Sequence, residues 1–444
     1  MNVLLLHTHD TGRFIGPYGF AADTPCLSAL AREGALFRQA FSAAPTCSPS
    51  RAALMTGQYP HECGMYGLAH RGFSLPNYSH HLAGYLRRFG FETVLCGIQH
   101  EAPDAGQIGY TRILDDQNFD MGNIEFDSVA FDRKNAALVC DYLRAPHEAP
   151  FFLSFGMYNT HRRWMPHDPR FDPRYLAPFP GMCDVPENRR DMADFLHSVN
   201  LCDTLVGQVL QTLEETGQKE NTLVIFTTDH GPAVPDMKCT LYDLGTGISL
   251  ILRRPGTAGG QCIDTPVSNL DLFPTICDIC RLEKPSWLSG QSLAGLLTGG
   301  SAPAERAIFS EINYHAAYQP ARAVRAGRYK YIRHFLPAQS PILANVDNCP
   351  EKTFLFEQGV YAHRQTPGEE LFDLYADPGE KENLAFSERY AARLADMRRQ
   401  LLHWMESTDD PLLAGSVAAP AGARINSPDD YCAEDLKEQK EGAV

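Results

Sequence analysis

Short unbroken apolar runs alternate with segments of helical periodicity along the first 300 residues of the chain. Such runs are typical of strands that are buried on both faces of a parallel sheet. The helices between them supply the crossover connections that parallel strands require. The pattern therefore predicts an α/β fold with a doubly wound, mostly parallel sheet. The predicted strands cover residues 2–8, 92–96, 151–157, 222–227 and 248–252.

Helix start and stop signals divide the segments between these strands. Pro25 suits a first helical turn, Asp127 suits an N-cap, and Gly34 and Gly217 suit helix ends. The predicted helices cover residues 25–33, 79–89, 127–143 and 189–215.

The pattern changes after a Gly- and Pro-rich stretch at residues 298–303. We expect a larger domain at 1–300 and a smaller α+β domain at 301–444, with an antiparallel sheet and a C-terminal helix. The residues after Pro411 are rich in Ala, Gly, Ser and acidic residues, so a loose tail is expected. The predicted elements of this second part are strands at 307–314, 323–326 and 328–333 and a helix at 386–404.

Composition narrows the classes of function. The 444 residues are 44% hydrophobic and 21% charged, which is ordinary for a soluble globular protein. The net charge of −15 argues against a broad basic surface, and therefore against a nucleic-acid partner. An anionic substrate would have to be short and held by a local concentration of basic side chains and metal.

The thirteen cysteines lack the spacing of a disulfide framework, which indicates free thiols in a reducing compartment. Cys277 and Cys280 form a CxxC pair, but they lie in an apolar helical pattern and are predicted to be buried structural thiols. No apolar run is long enough to span a membrane, and none has the form of an export signal. We expect a cytoplasmic protein without a membrane partner, or an exported one whose signal has been removed. The oligomeric state stays open, with a homo-oligomer as one alternative.

Four of the predicted strands end in aspartate or histidine. The carboxyl ends of parallel strands meet at one edge of the sheet, where open α/β folds place their sites. A single Asp at a strand end often only caps the next helix, whereas the same residue types at four strand ends indicate a shared site. The residues concerned are His9, Asp10, His100, His161, Asp229 and His230.

Cys47 stands at the predicted N-terminus of a further helix. Pro49 suits its first turn, and Gly57 suits its end. The unpaired N–H groups and the dipole of a helix N-terminus favour negative charge, and Arg51 adds a cation one turn in. A small reactive side chain beside such a helix end predicts a site for an anionic substrate.

The residues around Cys47 form a Cys-x-Pro-Ser-Arg motif that is followed by Leu-x-Thr-Gly. This combination resembles the maturation signature of the type I sulfatases. The resemblance implies an alkaline-phosphatase-like fold and a maturation enzyme that oxidises Cys47 to formylglycine, whose aldehyde hydrate is the nucleophile. The matching positions are Cys47, Pro49, Ser50, Arg51, Leu54, Thr56 and Gly57.

The resemblance also implies a divalent metal that binds the nucleophile and a sulfate oxygen. Calcium is the usual metal of the family, and it prefers oxygen ligands. His9 stands where the family usually has a carboxylate, and because imidazole suits manganese, manganese is the alternative. A strand-end hydrogen bond without metal contact is another role open to His9. The implied ligands are His9, Asp10, Cys47, Asp229 and His230.

The same resemblance implies the remaining catalytic roles. Arg51 activates the nucleophile together with the metal, and Lys238 grips the sulfate. His161 protonates the leaving group, and His100 contacts the formylglycine hydroxyl. Ile98 stands where the family often has a lysine, so one positive charge on the sulfate is lost or supplied from elsewhere.

Residues 63–68, 222–229 and 370–378 are similar to those of the heparan N-sulfatases. The implied substrate is a small sulfated saccharide, a glucosamine with an N-sulfo group at the non-reducing end of a short heparin or heparan fragment. The alternatives are an O-sulfatase acting on a sugar or aryl sulfate, a phosphonate or phosphodiester hydrolase of the same superfamily, and a catalytically silent glycan-binding relative. Candidate sugar contacts, for which a plain surface role fits at least as well, are Asn159, Arg162, Arg163, Tyr242, Tyr314 and His315.

Overall fold

A computed structural model describes residues 1–117, 126–300, 306–337 and 340–436. None of the helices in these ranges is both long enough and apolar enough to span a membrane. All thirteen cysteines are free; Cys277 is buried and Cys280 is partly exposed. The elements of the first part are β1 (Asn2–Thr8), α1 (Pro25–Glu33), β2 (Ala35–Phe37), β3 (Ala40–Phe41), α2 (Cys47–Thr56), α3 (Pro60–Cys63), α4 (Leu82–Arg87), β4 (Glu92–Gly97), β5 (Arg112–Ile113), α5 (Ser128–Arg144), β6 (Phe151–Gly156), α6 (Pro186–Glu215), β7 (Thr222–Thr228), α7 (Asp243–Thr246), β8 (Gly247–Ile248), β9 (Leu250–Arg253), β10 (Gln261–Ile263), β11 (Val267–Ser268) and α8 (Leu272–Cys280).

An eight-stranded sheet forms the centre of this part, with the order β10-β2-β9-β7-β1-β6-β4-β5. The five strands from β7 to β5 are parallel, as the apolar runs predicted. The strand predicted at 248–252 is in fact two strands. β9 pairs antiparallel with β7 and β2, whereas β8 joins a small sheet with β3 and β11.

Helices cover both faces of the large sheet, which makes it doubly wound. Alternate residues of β1 point to opposite faces, as a strand requires. Leu4 and Leu6 pack in one core with α1, α5 and α6. Val3 and Leu5 pack in the other with α2, α4 and α8. The buried position of α2, the helix that begins at Cys47, therefore follows from the apolar content of the sheet.

Helix α4 is shorter than the predicted segment 79–89. The ring of His81 accepts a hydrogen bond from the Ala83 N–H and so caps the helix, while a 3-10 turn at Tyr78–His80 precedes it. A local cap therefore sets this helix start.

The second part forms a four-stranded antiparallel sheet in the order β12-β13-β14-β15. One long helix packs against it. The strand predicted at 323–326 extends further, and the helix predicted at 386–404 begins later. The elements are β12 (Ile308–Tyr314), β13 (Tyr318–Ala326), β14 (Tyr329–His334), α9 (Pro350–Glu357), β15 (Glu369–Asp373) and α10 (Ala391–Ser407).

The chain after Pro411 differs from the expected loose tail as far as residue 436. Val417 is buried, and its carbonyl accepts a hydrogen bond of 2.6 Å from the Tyr314 hydroxyl. Asn426 is also buried and accepts a hydrogen bond from the Arg71 guanidinium. Specific polar contacts therefore tie this segment to both parts of the fold. Residues 437–444 lie outside the described ranges.

Candidate active site

The carboxyl ends of β7, β1, β6 and β4 meet at one edge of the large sheet. The strands are neighbours, and their last residues are level, because Thr8 pairs with Thr228 and Gly97 pairs with Gly156. A Cβ atom on Gly156 would lie 2.6 Å from the ring of His7 and 1.9 Å from the Ile98 carbonyl oxygen. Glycine therefore lets the strand ends approach closely enough for their polar side chains to share one site.

Cys47 is the first residue of α2, as the sequence predicts, and its side chain is buried. The Ser50 hydroxyl donates to the Asp229 carbonyl over 2.6 Å and holds the first turn of the helix against the end of β7. Cys47 Sγ lies 3.4 Å from His230 Nε2. Burial raises the pKa of the Cys47 thiol well above its usual value. The environment therefore disfavours a cysteine thiolate as nucleophile.

Four predicted metal ligands converge at this point. One donor atom from each of His9, Asp10, Cys47 and Asp229 lies within 4.8 Å of the others, and all four side chains are buried. Asp10 Oδ1 and His9 Nε2 have no hydrogen-bond partner among the described residues. Buried polar atoms without partners are costly. This set of oxygen, nitrogen and sulfur donors therefore fits a divalent cation.

The fifth predicted ligand, His230, points its Nε2 at the same group. Its Nδ1 donates to the Gly231 carbonyl over 2.9 Å, so Nε2 is the ring nitrogen that faces the other ligands. Nε2 lies 3.4 Å from Asp10 Oδ1 and 3.7 Å from Asp229 Oδ2. The structure thus brings all five predicted ligands together.

The charges of two of these ligands suit metal binding. Burial and the neighbouring Arg51 lower the pKa of His9, so its imidazole is neutral. Burial alone would raise the pKa of Asp229, but His230, Arg51 and His9 outweigh it and hold that pKa well below the usual value. Asp229 is therefore a carboxylate, and His9 Nδ1 lies 3.1 Å from its Oδ2.

Arg51 lies behind the metal ligands. Its guanidinium donates to Asp229 Oδ2 and to the Thr8 carbonyl, each over 3.2 Å. It also lies 2.6 Å from His7 Nδ1, and its side chain is only 5% exposed. Its described contacts orient Asp229, which makes Arg51 a positioning residue in this geometry.

Lys238 connects the metal ligands to the outer part of the site. Its Nζ donates to Asp10 Oδ2 over 3.0 Å and lies 3.5 Å from His161 Nε2. On its other side it lies 3.4 Å from Asp347 Oδ2. Burial would lower the pKa of Lys238, but Asp10 and Asp347 raise it well above the usual value. Lys238 therefore brings a fixed positive charge to the predicted sulfate position.

Nδ1 of His161 already makes a hydrogen bond within the protein. That nitrogen donates to the Arg162 carbonyl over 2.6 Å, so Nε2 is the atom that faces Lys238. Burial and the charge of Lys238 lower the pKa of His161.

His100 lies across the site in a stacked pair with His70. The ring centroids are 5.1 Å apart, and His100 Nε2 lies 2.9 Å from His70 Nδ1. Burial and the neighbouring Arg71 and Arg424 lower the pKa of His70 to about 4, so this ring is neutral. Ile98 is fully buried in a small apolar cluster with Phe131 and Tyr158. His70 therefore does not replace the positive charge that is missing at Ile98.

Three predicted sugar contacts are structural instead. Asn159 is fully buried and donates to Asp132 over 2.8 Å. Arg162 forms a two-point ion pair with Asp191 and stacks on Trp164. Tyr314 is buried in the core of the second sheet. Pattern alone could not separate these polar groups from ligand-binding ones, because their partners come from distant segments.

The other three predicted sugar contacts have different surroundings. Tyr242 donates to Glu370 over 3.0 Å and lines a separate cavity between the two parts of the fold. Arg163 is exposed. His315 is buried, and Lys238 and Asp347 lie close enough for their charges to act on its pKa, which burial lowers. Of the three, His315 is the one that the structure brings near Lys238.

Asp347 and His70 are site residues that the sequence reasoning missed. Asp347 lies 109 positions after Lys238, in a loop without any motif. His70 follows a stretch that the subfamily resemblance covers, but its stacking on His100 depends on the fold. No local signal marks either residue.

A second buried group of metal-type side chains, His61, Glu311 and Asp410, lies away from this site. The Arg322 guanidinium donates to both oxygens of Asp410, over 2.6 and 3.0 Å, and lies 3.9 Å from Glu311. His61 Nδ1 bonds to Glu311. The guanidinium supplies the positive charge, so this group is an ion-pair network that joins α3, the second sheet and the end of α10.

Comparison with known proteins agrees with this geometry. A sequence model of the sulfatase family matches residues 1–281, and a model of the C-terminal region of N-sulphoglucosamine sulphohydrolase matches residues 236–365. Human N-sulphoglucosamine sulphohydrolase is 31% identical over 95% of this chain and 92% of its own length. An ulvan-active sulfatase of Formosa agariphila is 28% identical over 92% of this chain and 75% of its own.

Among solved structures, a putative sulfatase from Bacteroides thetaiotaomicron has the same fold. Its TM-score is 0.74 at 24% identity, and the match covers 98% of this chain and 99% of that one. The fold is thus alkaline-phosphatase-like, as expected. The family as a whole uses formylglycine and a divalent metal. The chain therefore belongs to the sulfatase family, and it is an enzyme that hydrolyses sulfate groups.

Proposed function

We propose that this sulfatase removes the N-sulfo group from a glucosamine at the non-reducing end of short heparin or heparan fragments. The observation that carries the proposal is the match to human N-sulphoglucosamine sulphohydrolase along nearly the whole length of both chains. The C-terminal match is the more specific one, because its sequence model describes N-sulphoglucosamine sulphohydrolase, and it covers Lys238, His315 and Asp347.

Cys47 is the proposed nucleophile position after conversion to formylglycine by a maturation enzyme. A formylglycine there would supply an aldehyde hydrate, with one hydroxyl as the nucleophile towards sulfur and a second through which sulfate can be released. Two observations support this role. Burial raises the pKa of the thiol, which disfavours an unmodified cysteine as nucleophile. Cys47 also begins a helix whose N-terminus favours the negative charge of a sulfate.

Lys238 and the metal ligands are proposed to hold the sulfate oxygens. His9, Asp10, Asp229 and His230 would hold the metal together with position 47, and a bound metal supplies positive charge for those oxygens. Calcium is the proposed ion and manganese the alternative, because two imidazoles accompany only two carboxylates. Lys238 adds a second charge from the opposite side of Asp10.

His161 and His100 are proposed to move the protons. His161 Nε2, beside Lys238, is the proposed proton donor to the departing nitrogen, and it acts in the imidazolium form, which the negative charge of a bound substrate favours. Breaking an N–S bond demands this proton, because an unprotonated amide anion is a very poor leaving group. His100, whose Nδ1 has no hydrogen-bond partner among the described residues, takes a proton from the second hydroxyl.

An O-sulfatase is the second candidate, and the similarity to an ulvan-active sulfatase favours it. Sulfate release from N-sulfoglucosamine and from glucosamine 6-O-sulfate separates the two. The protein is produced with a formylglycine-generating enzyme, and mass spectrometry of the Cys47 peptide verifies conversion. We expect a kcat/KM at least tenfold higher on the N-sulfated sugar. A preference for the 6-O-sulfated sugar would reject it, and the Cys47→Ala protein is the background control.

A further inference from the structure

Asp347 places a carboxylate next to the lysine that is proposed to grip sulfate. Its two oxygens lie 3.4 and 3.5 Å from Lys238 Nζ. Its Oδ2 is buried and accepts no hydrogen bond of ordinary geometry from the described residues. Burial alone would raise the pKa of Asp347, but the charge of Lys238 outweighs it and holds that pKa well below its usual value. Asp347 is therefore ionised.

The loop that carries Asp347 is anchored on both sides. Before it, the Asn345 side chain accepts hydrogen bonds from the N–H groups of Ala316 and Ala317, over 2.9 and 2.7 Å. On either side of Asp347, the Lys352 ammonium donates to the Val346 carbonyl and to the Asn348 side chain. Lys352 is fully buried. The position of the carboxylate is therefore built into the fold.

A carboxylate is an unfavourable neighbour for the oxygens of a sulfate group. Two like charges that lie close together repel each other strongly in a largely buried site. A carboxylate also has only acceptor atoms, so it can bind a substrate only through a donor. Around the sulfur of an N-sulfo group the one donor is the N–H of the bond that breaks. The bridging oxygen of an O-sulfate offers only lone pairs.

We infer that Asp347 is a specificity-determining residue that accepts a hydrogen bond from the sulfamate N–H and then from the amine that leaves. This inference rests on the proposed N-sulfatase function and names the residue that distinguishes nitrogen from oxygen. In the overall reaction, R–NH–SO₃⁻ and water give R–NH₃⁺ and SO₄²⁻. The S–N bond breaks, an S–O bond to the nucleophile forms, and the nitrogen gains the protons. The ionised Asp347 carboxylate stabilises the positive charge that appears on this nitrogen.

The test compares Asp347→Asn and Asp347→Ala with the wild type on two substrates, N-sulfoglucosamine and 4-nitrophenyl sulfate. Loss of a hydrogen bond to a charged group lowers kcat/KM about 10- to 100-fold. We expect this loss on the N-sulfated sugar to exceed the loss on the aryl sulfate at least tenfold. Asp264→Asn is the matched control, because Asp264 is an exposed aspartate with a surface arginine partner. Thermal unfolding and the degree of Cys47 conversion are measured for every variant.

A second measurement does not depend on activity towards an O-sulfate. The product glucosamine carries an ammonium group, whereas N-acetylglucosamine does not. We expect Asp347→Asn to raise the inhibition constant of glucosamine at least tenfold and to leave that of N-acetylglucosamine within threefold. Equal losses on both substrates, or equal shifts of both inhibition constants, would overturn the inference and leave the N-sulfatase function standing. A wild type that releases no sulfate from N-sulfoglucosamine would overturn both.

Discussion

Lys238 offers the sharpest test of the active-site geometry. Its side chain is 2% exposed, and its ammonium lies 3.0 Å from Asp10 and 3.4 Å from Asp347. At an effective dielectric constant of about 20, each of these attractions amounts to about 5 kcal/mol before desolvation is counted. Lys238→Met keeps much of the length and removes the charge, so the buried Asp10 and the partly exposed Asp347 lose their shared cation.

The expected consequence for catalysis follows from the position of the charge. A preorganised donor at the developing charge of a transition state contributes about 3–4 kcal/mol, or 10²- to 10³-fold in rate. We therefore expect Lys238→Met to lower kcat/KM by this factor. Lys238→Arg keeps the charge and should recover part of the loss. Because the pair is buried, the loss should be nearly the same at low and at high ionic strength.

The assay is sulfate release measured by ion chromatography over a range of substrate concentrations, with thermal unfolding recorded in parallel. Lys134→Met is the matched control, because Lys134 is an exposed lysine that pairs with Asp116. A Lys238→Met protein with kcat/KM within tenfold of wild type would refute the role given to this residue. So would a loss that disappears at high salt, since only an exposed charge is screened in that way.

Four further predictions concern the nucleophile, the metal and the ion-pair network. Cys47→Ala should lower turnover on the order of 10³-fold or more with a change of about 1 kcal/mol in the free energy of unfolding, and substantial residual activity would contradict the scheme. His9→Asp should raise the ratio of bound calcium to bound manganese on the order of tenfold, because a carboxylate suits calcium better than an imidazole does. Elemental analysis of protein purified without added metal measures this ratio, and an unchanged ratio would remove His9 from the ligand set. Asp410→Asn should destabilise the fold by about 3–5 kcal/mol in denaturant unfolding, because it leaves the fully buried Arg322 without its two-point partner. Within the same network, burial alone would lower the pKa of His61, but Glu311 outweighs it and raises that pKa above 6.5. The stability that protonated His61 contributes should therefore be complete below pH 6.5 and fall as the pH rises through the folded-state pKa. This pH dependence should be absent from His61→Gln.

Much of the catalytic centre was predictable because its chemistry lies in local motifs. The stretch from Cys47 to Gly57 contains both the reactive side chain and the signals that start and end its helix. His9, Asp10, Asp229 and His230 follow apolar runs that could only be buried strands. Since parallel strands bring their carboxyl ends to one edge, pattern and topology together predict that these side chains meet.

Partner choice among polar side chains was not predictable in the same way. Asn159, Arg162 and Tyr314 are polar or aromatic residues in promising positions, yet each makes its hydrogen bonds to a partner far away in sequence. The direction of β9 and the short pairing of β8 also depend on contacts with distant strands. Periodicity reports whether a residue is buried, and it carries no information about which distant group lies opposite.

Asp347 is a site residue that only the fold reveals, whereas the residues of the motifs can be recognised in the sequence. The motifs in the chain predict a nucleophile, a metal site and a lysine, because each is encoded within a few neighbouring residues. The fold alone brings Asp347 to Lys238 and His70 to His100, since the two partners of each contact lie far apart in sequence. The reaction class thus follows from local sequence, whereas the surroundings of Lys238 and His100 follow from long-range packing.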